Sequence, residues 1–76
     1  MLRAGDICMI SKNRKYSTRG MIVRVLLIGS LDPISGSPLI EVQVLSPGGF
    51  YNAKLLFESE SLDLVYSPGA IADFLC

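Results

Sequence analysis

The side chains best suited to chemistry lie in one polar stretch, residues 11–19, with the sequence SKNRKYSTR. This stretch, called the basic loop below, holds four cations and one aromatic ring: Lys12, Arg14, Lys15, Arg19 and Tyr16. Cations neutralise phosphates and an aromatic ring stacks on an unpaired base, so the composition is typical of an RNA- or DNA-binding surface. A solvated loop has the same composition, and the pI of 6.1 is not that of a strongly basic domain. Both interpretations remain open.

The charges are divided unevenly along the chain. Residues 1–24 carry six basic side chains and one acidic one, whereas residues 25–76 carry one basic and six acidic ones. The net charge of zero therefore combines +5 in the first part with −5 in the second. A closed fold can place the acidic part beside the basic loop, which would weaken the attraction of that loop for phosphate.

The remaining reactive residues give little support to catalysis or metal binding. The chain has no His, which is the commonest general base and metal ligand. Cys8 and Cys76 are 68 positions apart and cannot supply a zinc site, which needs four ligands. Glu58 and Glu60 could share a strand face, but a solvated corner is the simpler interpretation. We expect no enzymatic activity, no metal, no cofactor and no small-molecule substrate.

The pattern of cysteines and apolar runs favours a reduced, cytoplasmic protein. Cys8 lies inside an apolar run, which predicts a small buried hydrophobic residue, with a free thiol at Cys76. A disulfide between the two is the less favoured alternative. The run 7–10 is too short for a signal-peptide core, and the run 21–28 is interrupted by Arg24 and too short to span a bilayer. We therefore expect no membrane insertion.

Gly and Pro divide the chain into five short extended segments. Alternation of apolar and polar residues and β-branched side chains predict strands at 7–10, 21–28, 39–45, 50–57 and 62–66. The sequence Ser46-Pro47-Gly48-Gly49 predicts a tight turn that joins the third and fourth strands into a hairpin. Residues 29–38 read as a long turn region and 58–61 as a polar corner or a single helical turn. Five short strands predict one all-β domain, a small, strongly bent antiparallel barrel with its core in residues 5–66 and a tail or helical turn in 67–76.

The order of these segments resembles that of SH3-like barrels. Gly-Asp, an apolar strand, a basic loop, Gly and a second apolar strand are similar to the KOW motif of ribosomal and transcription-elongation proteins, at Gly5, Asp6, Ile7, Met9, Gly20, Ile22 and Val25. The polar corner before Leu62-Asp63-Leu64-Val65 resembles the turn that leads into the closing strand of such barrels. The layout is also similar to that of the small peripheral SH3-like subunit of photosystem I. The KOW resemblance implies nucleic-acid binding through Lys12, Arg14, Lys15, Tyr16 and Arg19.

Surplus apolar residues point to a protein interface. Strict alternation over 21–28 places Met21, Val23, Val25 and Leu27 on one face, and Ile22, Arg24, Leu26 and Ile28 on the other. Both faces are mostly apolar, which is more than a small fold needs, and exposed apolar area usually marks an interaction site. The interface candidates are Ile22, Leu26, Ile28, Phe74 and Leu75. A tail that folds back onto the barrel is an equally good interpretation for the last two.

We therefore expect a small non-catalytic interaction module, acting by self-association or as an accessory subunit. The alternative is a KOW-like nucleic-acid-binding module that uses the basic loop.

Overall fold

The computed structural model describes residues 2–31, 33–34 and 36–68, and these form an all-β fold. The five antiparallel strands are β1 (Ile7–Ile10), β2 (Ile22–Leu31), β3 (Pro38–Val44), β4 (Lys54–Glu58) and β5 (Leu62–Tyr66). One 3₁₀ turn, Ser59–Ser61, joins β4 to β5 and confirms the single helical turn predicted there. Most of the predicted tail, residues 69–76, lies outside the described residues.

The strands form one sheet in the order β4-β3-β2-β1-β5. The predicted hairpin of the third and fourth strands is confirmed by the pairing of β3 with β4, and β5 returns to pair with β1. Strands β4 and β5 are the two edges, and no hydrogen-bonded ladder of the described residues joins them. The sequence predicted a barrel, but the pairing described here is that of an open sheet.

The core is built from strand positions that alternate with period two. Ile40, Val42 and Val44 are at most 1% exposed, whereas Glu41 and Gln43 between them point to the opposite face, as their spacing predicted. The other buried hydrophobic residues are Cys8, Ile10, Val23, Val25, Phe57 and Leu62. Because these residues come from all five strands, the core depends on contacts that are distant in the sequence.

Strand β2 does not keep the strict alternation that the sequence suggested. Val25 pairs with Val42 but Leu27 pairs with Glu41, so Leu26 is an extra residue in a β-bulge. The bulge shifts the phase, and Ile28 rather than Leu27 lies opposite the buried Ile40. The predicted faces are therefore wrong beyond Val25: Leu27 leaves the core face and Ile28 joins it.

Two predicted boundaries also need correction. Strand β2 continues through Gly29 and Ser30 to Leu31, where a long turn was predicted, and a second irregularity in its pairing with β3 accommodates them. Strand β4 begins at Lys54 instead of residue 50, because residues 45–53 form a longer connection than the predicted tight turn. That connection closes at Asn52, whose φ of 66° is left-handed, a conformation that Asn adopts more readily than most residues.

A buried carboxylate joins the segment before β1 to the residue that follows β5, at one end of this antiparallel pair. Asp6 is fully buried, and its carboxylate accepts hydrogen bonds from the Arg3 backbone N–H at 2.8 Å and from the Ser67 hydroxyl at 2.7 Å. Its own N–H donates to the Arg3 carbonyl, so residues 3–6 form a tight turn before β1. The Gly5-Asp6 pair that opens β1 thus has a structural role in this chain.

Candidate functional site

The basic loop is solvent-exposed and joins β1 to β2. All four of its cations are exposed: Lys12, Arg14, Lys15 and Arg19. Backbone hydrogen bonds at its ends, from Gly20 N–H to the Ile10 carbonyl and from Ser11 N–H to the Ser61 carbonyl, fix it to the sheet. The aliphatic stem of Lys12 lies over Gly20, since a Cβ at Gly20 would be 3.4 Å from Lys12 Cε. All four predicted cations are therefore solvent-exposed on this loop, and the Arg19 guanidinium also donates a 3.4 Å hydrogen bond to the Tyr16 carbonyl.

Tyr16 has a different environment from the one that a base-stacking role needs. Its ring packs edge-on against Phe57, with ring centroids 5.2 Å apart and an interplanar angle of 71°. Its hydroxyl lies 3.2 Å from the Ser61 hydroxyl, and the side chain is 38% exposed. The ring therefore holds the loop against β4 and the 3₁₀ turn.

An acidic side chain lies beside the basic loop. The Ser37 hydroxyl donates a 2.6 Å hydrogen bond to Glu60, and this bond lowers the pKa of the Glu60 carboxyl. The positive charge of Arg14 lowers the same pKa further, which places Arg14 within electrostatic reach of Glu60. Glu60 thus reduces the positive potential of the basic loop near Arg14, which favours the interpretation of these residues as a solvated loop beside acidic residues.

The predicted interface residues of β2 have three different environments. Ile22 is half-buried at the start of β2, opposite Met9, and Leu26 occupies the bulge. Ile28 is 39% exposed and lines an apolar groove of about 260 Å³. The groove, called the apolar groove below, is lined by Leu2, Ile28, Pro38, Ile40 and Ser59. The other two candidates, Phe74 and Leu75, lie outside the described residues.

The edge strand β5 carries an exposed apolar segment that the sequence analysis did not select. Leu64, Val65 and Tyr66 are 53%, 57% and 49% exposed. A register shift against β1 leaves Val65 as the extra residue of a bulge, since Ile7 pairs with Tyr66 and Cys8 with Leu64. The signal in the sequence is the loss of alternation after Asp63, where three large apolar residues follow one another.

The other edge strand differs in its charges. Strand β4 exposes Leu56, but Lys54 and Glu58 stand at its two ends. Charged residues on an edge strand hinder pairing with another strand, whereas an apolar edge invites it. In β5 the only charge is Asp63. Strand β5 is therefore the edge better suited to receive a further strand.

Cys8 is buried and free, as the sequence predicted, and is not a reactive thiol. Burial raises its pKa to about 11, and the negative charges of Asp6 and Asp63 contribute in the same direction. In the described part of the chain, no three potential metal-ligating His, Cys, Asp or Glu side chains lie together. Within residues 2–31, 33–34 and 36–68, no helix has the length and apolarity needed to cross a bilayer.

Comparison with known proteins identifies no relative of this chain. The chain matches no protein-family model, no curated protein and no solved structure.

Proposed function

We propose that this chain is a small non-catalytic interaction module with an SH3-like architecture, and that it self-associates through the edge of β5. The observation that carries the proposal is the run of three exposed apolar residues on β5, Leu64 to Tyr66. An edge strand has N–H and C=O groups on one side that are free to pair with another extended chain. Apolar side chains on that strand add favourable burial when such a chain arrives.

The SH3-like assignment is supported by two local features. Two irregularities in β2 are of the kind that bend a strand, as a small barrel requires. The 3₁₀ turn at Ser59–Ser61 leads directly into β5, like the turn before the closing strand on which the resemblance rests.

A second copy of the chain is the simplest partner for β5. In an antiparallel pair of β5 strands centred on Leu64, that residue meets its own counterpart, and Asp63 lies opposite Val65. No like charges then face each other, and the zero net charge of the chain adds no overall repulsion between copies. A five-residue strand buries less than the roughly 1,200–2,000 Å² of a standard stable interface, so we expect a weak, concentration-dependent dimer.

Light scattering coupled to size exclusion, over a wide range of protein concentration, tests this proposal. We expect the mass of the wild-type chain to rise towards that of a dimer as concentration increases. Leu64→Lys should keep the protein monomeric at every concentration, because it places a charge at the centre of the pairing. Leu56→Lys is the matched control: it makes the same change at an exposed leucine of the other edge strand and should leave self-association intact. Circular dichroism checks that both variants are folded.

A wild-type chain that stays monomeric throughout contradicts the proposal. Equal loss of dimer in Leu56→Lys and Leu64→Lys also contradicts it, since the association would then not depend on β5.

Nucleic-acid binding through the basic loop is the second candidate. It is favoured because all four loop cations are exposed and backbone hydrogen bonds hold both ends of the loop on the sheet. Fluorescence anisotropy with a labelled single-stranded RNA at low salt tests it. The combined variant Arg14→Ala, Lys15→Ala should weaken binding and make it less salt-dependent. The combined variant Arg24→Ala, Lys54→Ala removes the same two residue types outside the loop and should bind as the wild type does. Absence of binding at low salt rules this candidate out.

A further inference from the structure

The connection between β3 and β4 carries two adjacent aromatic residues on an exposed tip. Phe50 and Tyr51 are 39% and 57% exposed. They belong to the segment 47–52, in which every residue is exposed, and the chain has no charged residue from 42 to 53. A Cβ added at Gly48 or Gly49 would meet no atom of the described residues within 4 Å, so this segment protrudes from the sheet. Residues 47–52 are called the aromatic tip below.

Hydrogen bonds hold the backbone of the aromatic tip in place. The Tyr51 N–H donates to the Gly48 carbonyl at 3.1 Å, which closes a turn within the tip. The chain just before the tip is tied to β2, since the Ile22 N–H donates to the Ser46 hydroxyl at 2.8 Å. A tip that is already ordered loses little conformational entropy when its aromatic residues bind a partner.

Exposed cations lie beside the aromatic tip. Lys54 begins β4 directly after the connection. It pairs with Gln43, which pairs in turn with Arg24, so the three side chains form one row across the outer face of the sheet. The basic loop ends just before Ile22, so the loop and the tip leave the sheet at the same end. Uncharged aromatic residues and positive charge are therefore combined at this end of the molecule.

The acidic side chains of the β3–β4 hairpin lie at its other end. Glu58, the last residue of β4, pairs with Leu39 near the start of β3, and Glu60 follows in the 3₁₀ turn. Asp63 of β5, opposite Met9, is an acidic residue nearer the basic loop, but three strands of the sheet order separate β5 from β4. The aromatic tip therefore lies in the positive part of an uneven charge distribution.

An anionic lipid surface has the chemistry that this end of the molecule fits. Aromatic rings are enriched at membrane–water interfaces, where one side of the ring is apolar and the other is wet. Lys and Arg side chains close to an anionic bilayer add electrostatic attraction. Single-stranded nucleic acid is bound instead in a charged groove with aromatic residues along it. The protruding shape of the aromatic tip favours the bilayer.

We propose that this chain binds the surface of anionic bilayers through the aromatic tip. Phe50 and Tyr51 enter the headgroup region, and Arg24 and Lys54 lie against the phosphate and carboxylate groups of the lipids. The contact is confined to the headgroup region and involves no spanning segment. It goes beyond the proposed self-association and uses no residue of the β5 edge. The apolar groove, lined in part by Pro38 at the opposite end of β3, takes no part in it.

Flotation of the full chain with lipid vesicles tests the role of the aromatic residues. The wild-type chain should float with vesicles of phosphatidylcholine and phosphatidylserine in equal parts, and much less with pure phosphatidylcholine. The combined variant Phe50→Ser, Tyr51→Ser should bind the mixed vesicles about tenfold more weakly or worse, because it removes the buried apolar surface. The combined variant Leu31→Ser, Ile34→Ser is the matched control. It removes two exposed apolar side chains at the opposite end of the sheet and should bind as the wild type does.

The same assay tests the cations. The combined variant Arg24→Ala, Lys54→Ala should bind the mixed vesicles roughly tenfold more weakly. It should lose more binding than Arg14→Ala, Lys15→Ala, because the charge of Arg14 is partly offset by Glu60. This order is the reverse of the one expected for RNA binding through the basic loop, so the two functions can be told apart.

A tryptophan placed in the aromatic tip reports its environment directly, since the chain contains no other Trp. The emission of Tyr51→Trp should move to shorter wavelength when mixed vesicles are added, because the indole ring leaves water. Ile34→Trp, at the opposite end, is the control and should keep its emission unchanged. Circular dichroism checks that every variant is folded.

Equal flotation of the two serine double variants would overturn the proposal, since binding would then not depend on the aromatic tip. An unshifted emission of Tyr51→Trp would overturn it as well. A wild-type chain that does not float, together with RNA binding that Phe50→Ser, Tyr51→Ser abolishes, would also overturn it and would assign the tip to stacking on bases.

Discussion

The Ser67 hydroxyl donates a 2.7 Å hydrogen bond to the buried carboxylate of Asp6, a residue 61 positions earlier in the chain. The other oxygen of this carboxylate accepts the Arg3 N–H. One side chain thereby holds the turn before β1 and the residue that follows β5. Since β1 and β5 are neighbours in the sheet, this contact fixes the strand whose edge we propose as the interaction surface.

Removing the Asp6 carboxylate should destabilise the fold strongly. Asp6→Ala leaves the Arg3 N–H and the Ser67 hydroxyl without their acceptor, and we expect the free energy of unfolding to fall by about 3 kcal/mol. Ser67→Ala removes one of the two hydrogen bonds and should cost about 2 kcal/mol. Urea unfolding of the single and double variants measures both. Because the two residues interact, the double variant should lose less than the sum, and strict additivity would contradict the coupling.

Tyr16 should matter more for stability than its exposure suggests. Tyr16→Ala removes the edge-on contact with Phe57 and the partner of the Ser61 hydroxyl, and should lower the free energy of unfolding by about 2 kcal/mol. Tyr16→Phe keeps the ring contact and should lose about 1 kcal/mol or less. Tyr51→Ala, at the more exposed tyrosine of the β3–β4 connection, is the control and should stay within about 0.5 kcal/mol of the wild type. Equal losses for Tyr16→Ala and Tyr51→Ala in urea unfolding would refute the anchoring role.

A side chain at Gly29 should destabilise the fold. A Cβ at this position would lie 3.0 Å from the backbone carbonyl oxygen of Leu39, which cannot move without disturbing the β2–β3 ladder. We expect Gly29→Ala to cost about 1–2 kcal/mol of stability through this clash. A Cβ at Gly49 meets no atom within 4 Å, so Gly49→Ala should be neutral or stabilise the protein by up to about 1 kcal/mol. Thermal unfolding compares the two, and a neutral Gly29→Ala contradicts the close approach.

The buried thiol of Cys8 should make stability depend on pH in alkaline solution. Its pKa is about 11 in the folded protein and near 9 in the unfolded chain, so the unfolded chain loses the proton first. The contribution of this thiol is therefore independent of pH well below pH 9, and it lowers stability as pH rises from about 9 to 11, by roughly 2–3 kcal/mol at most. Urea unfolding between pH 8 and pH 11, with Cys8→Ala as the comparison, isolates this contribution from that of other groups. An identical pH dependence in both proteins would contradict the raised pKa.

The number of strands and their approximate positions along the chain could be predicted from the sequence because they depend on local patterns. Alternation at Ile40, Val42 and Val44 specifies a strand with one buried face, and Gly and Pro mark where extended segments stop. The strand Leu62–Tyr66 and the helical turn before it were predicted at their observed positions. The exposure of the basic-loop cations could be predicted because burial of an unpaired charge is costly. The burial of Cys8 could be predicted because this residue lies in an apolar run.

The tertiary structure decided three features: which side chains of β2 face the core, which residues contact Tyr16, and the position of β5 at the edge of the sheet. The bulge at Leu26 depends on how β2 pairs with β3, so alternation along β2 alone assigned Leu27 and Ile28 to the wrong faces. Tyr16 reads as a free aromatic residue among cations until Phe57 and Ser61, more than forty positions away, are brought against it. Likewise, Leu64, Val65 and Tyr66 appear as an ordinary buried strand in the sequence. The loss of alternation after Asp63 is a local signal, but their exposure follows from the position of β5 at the end of the sheet, which depends on pairings between distant segments.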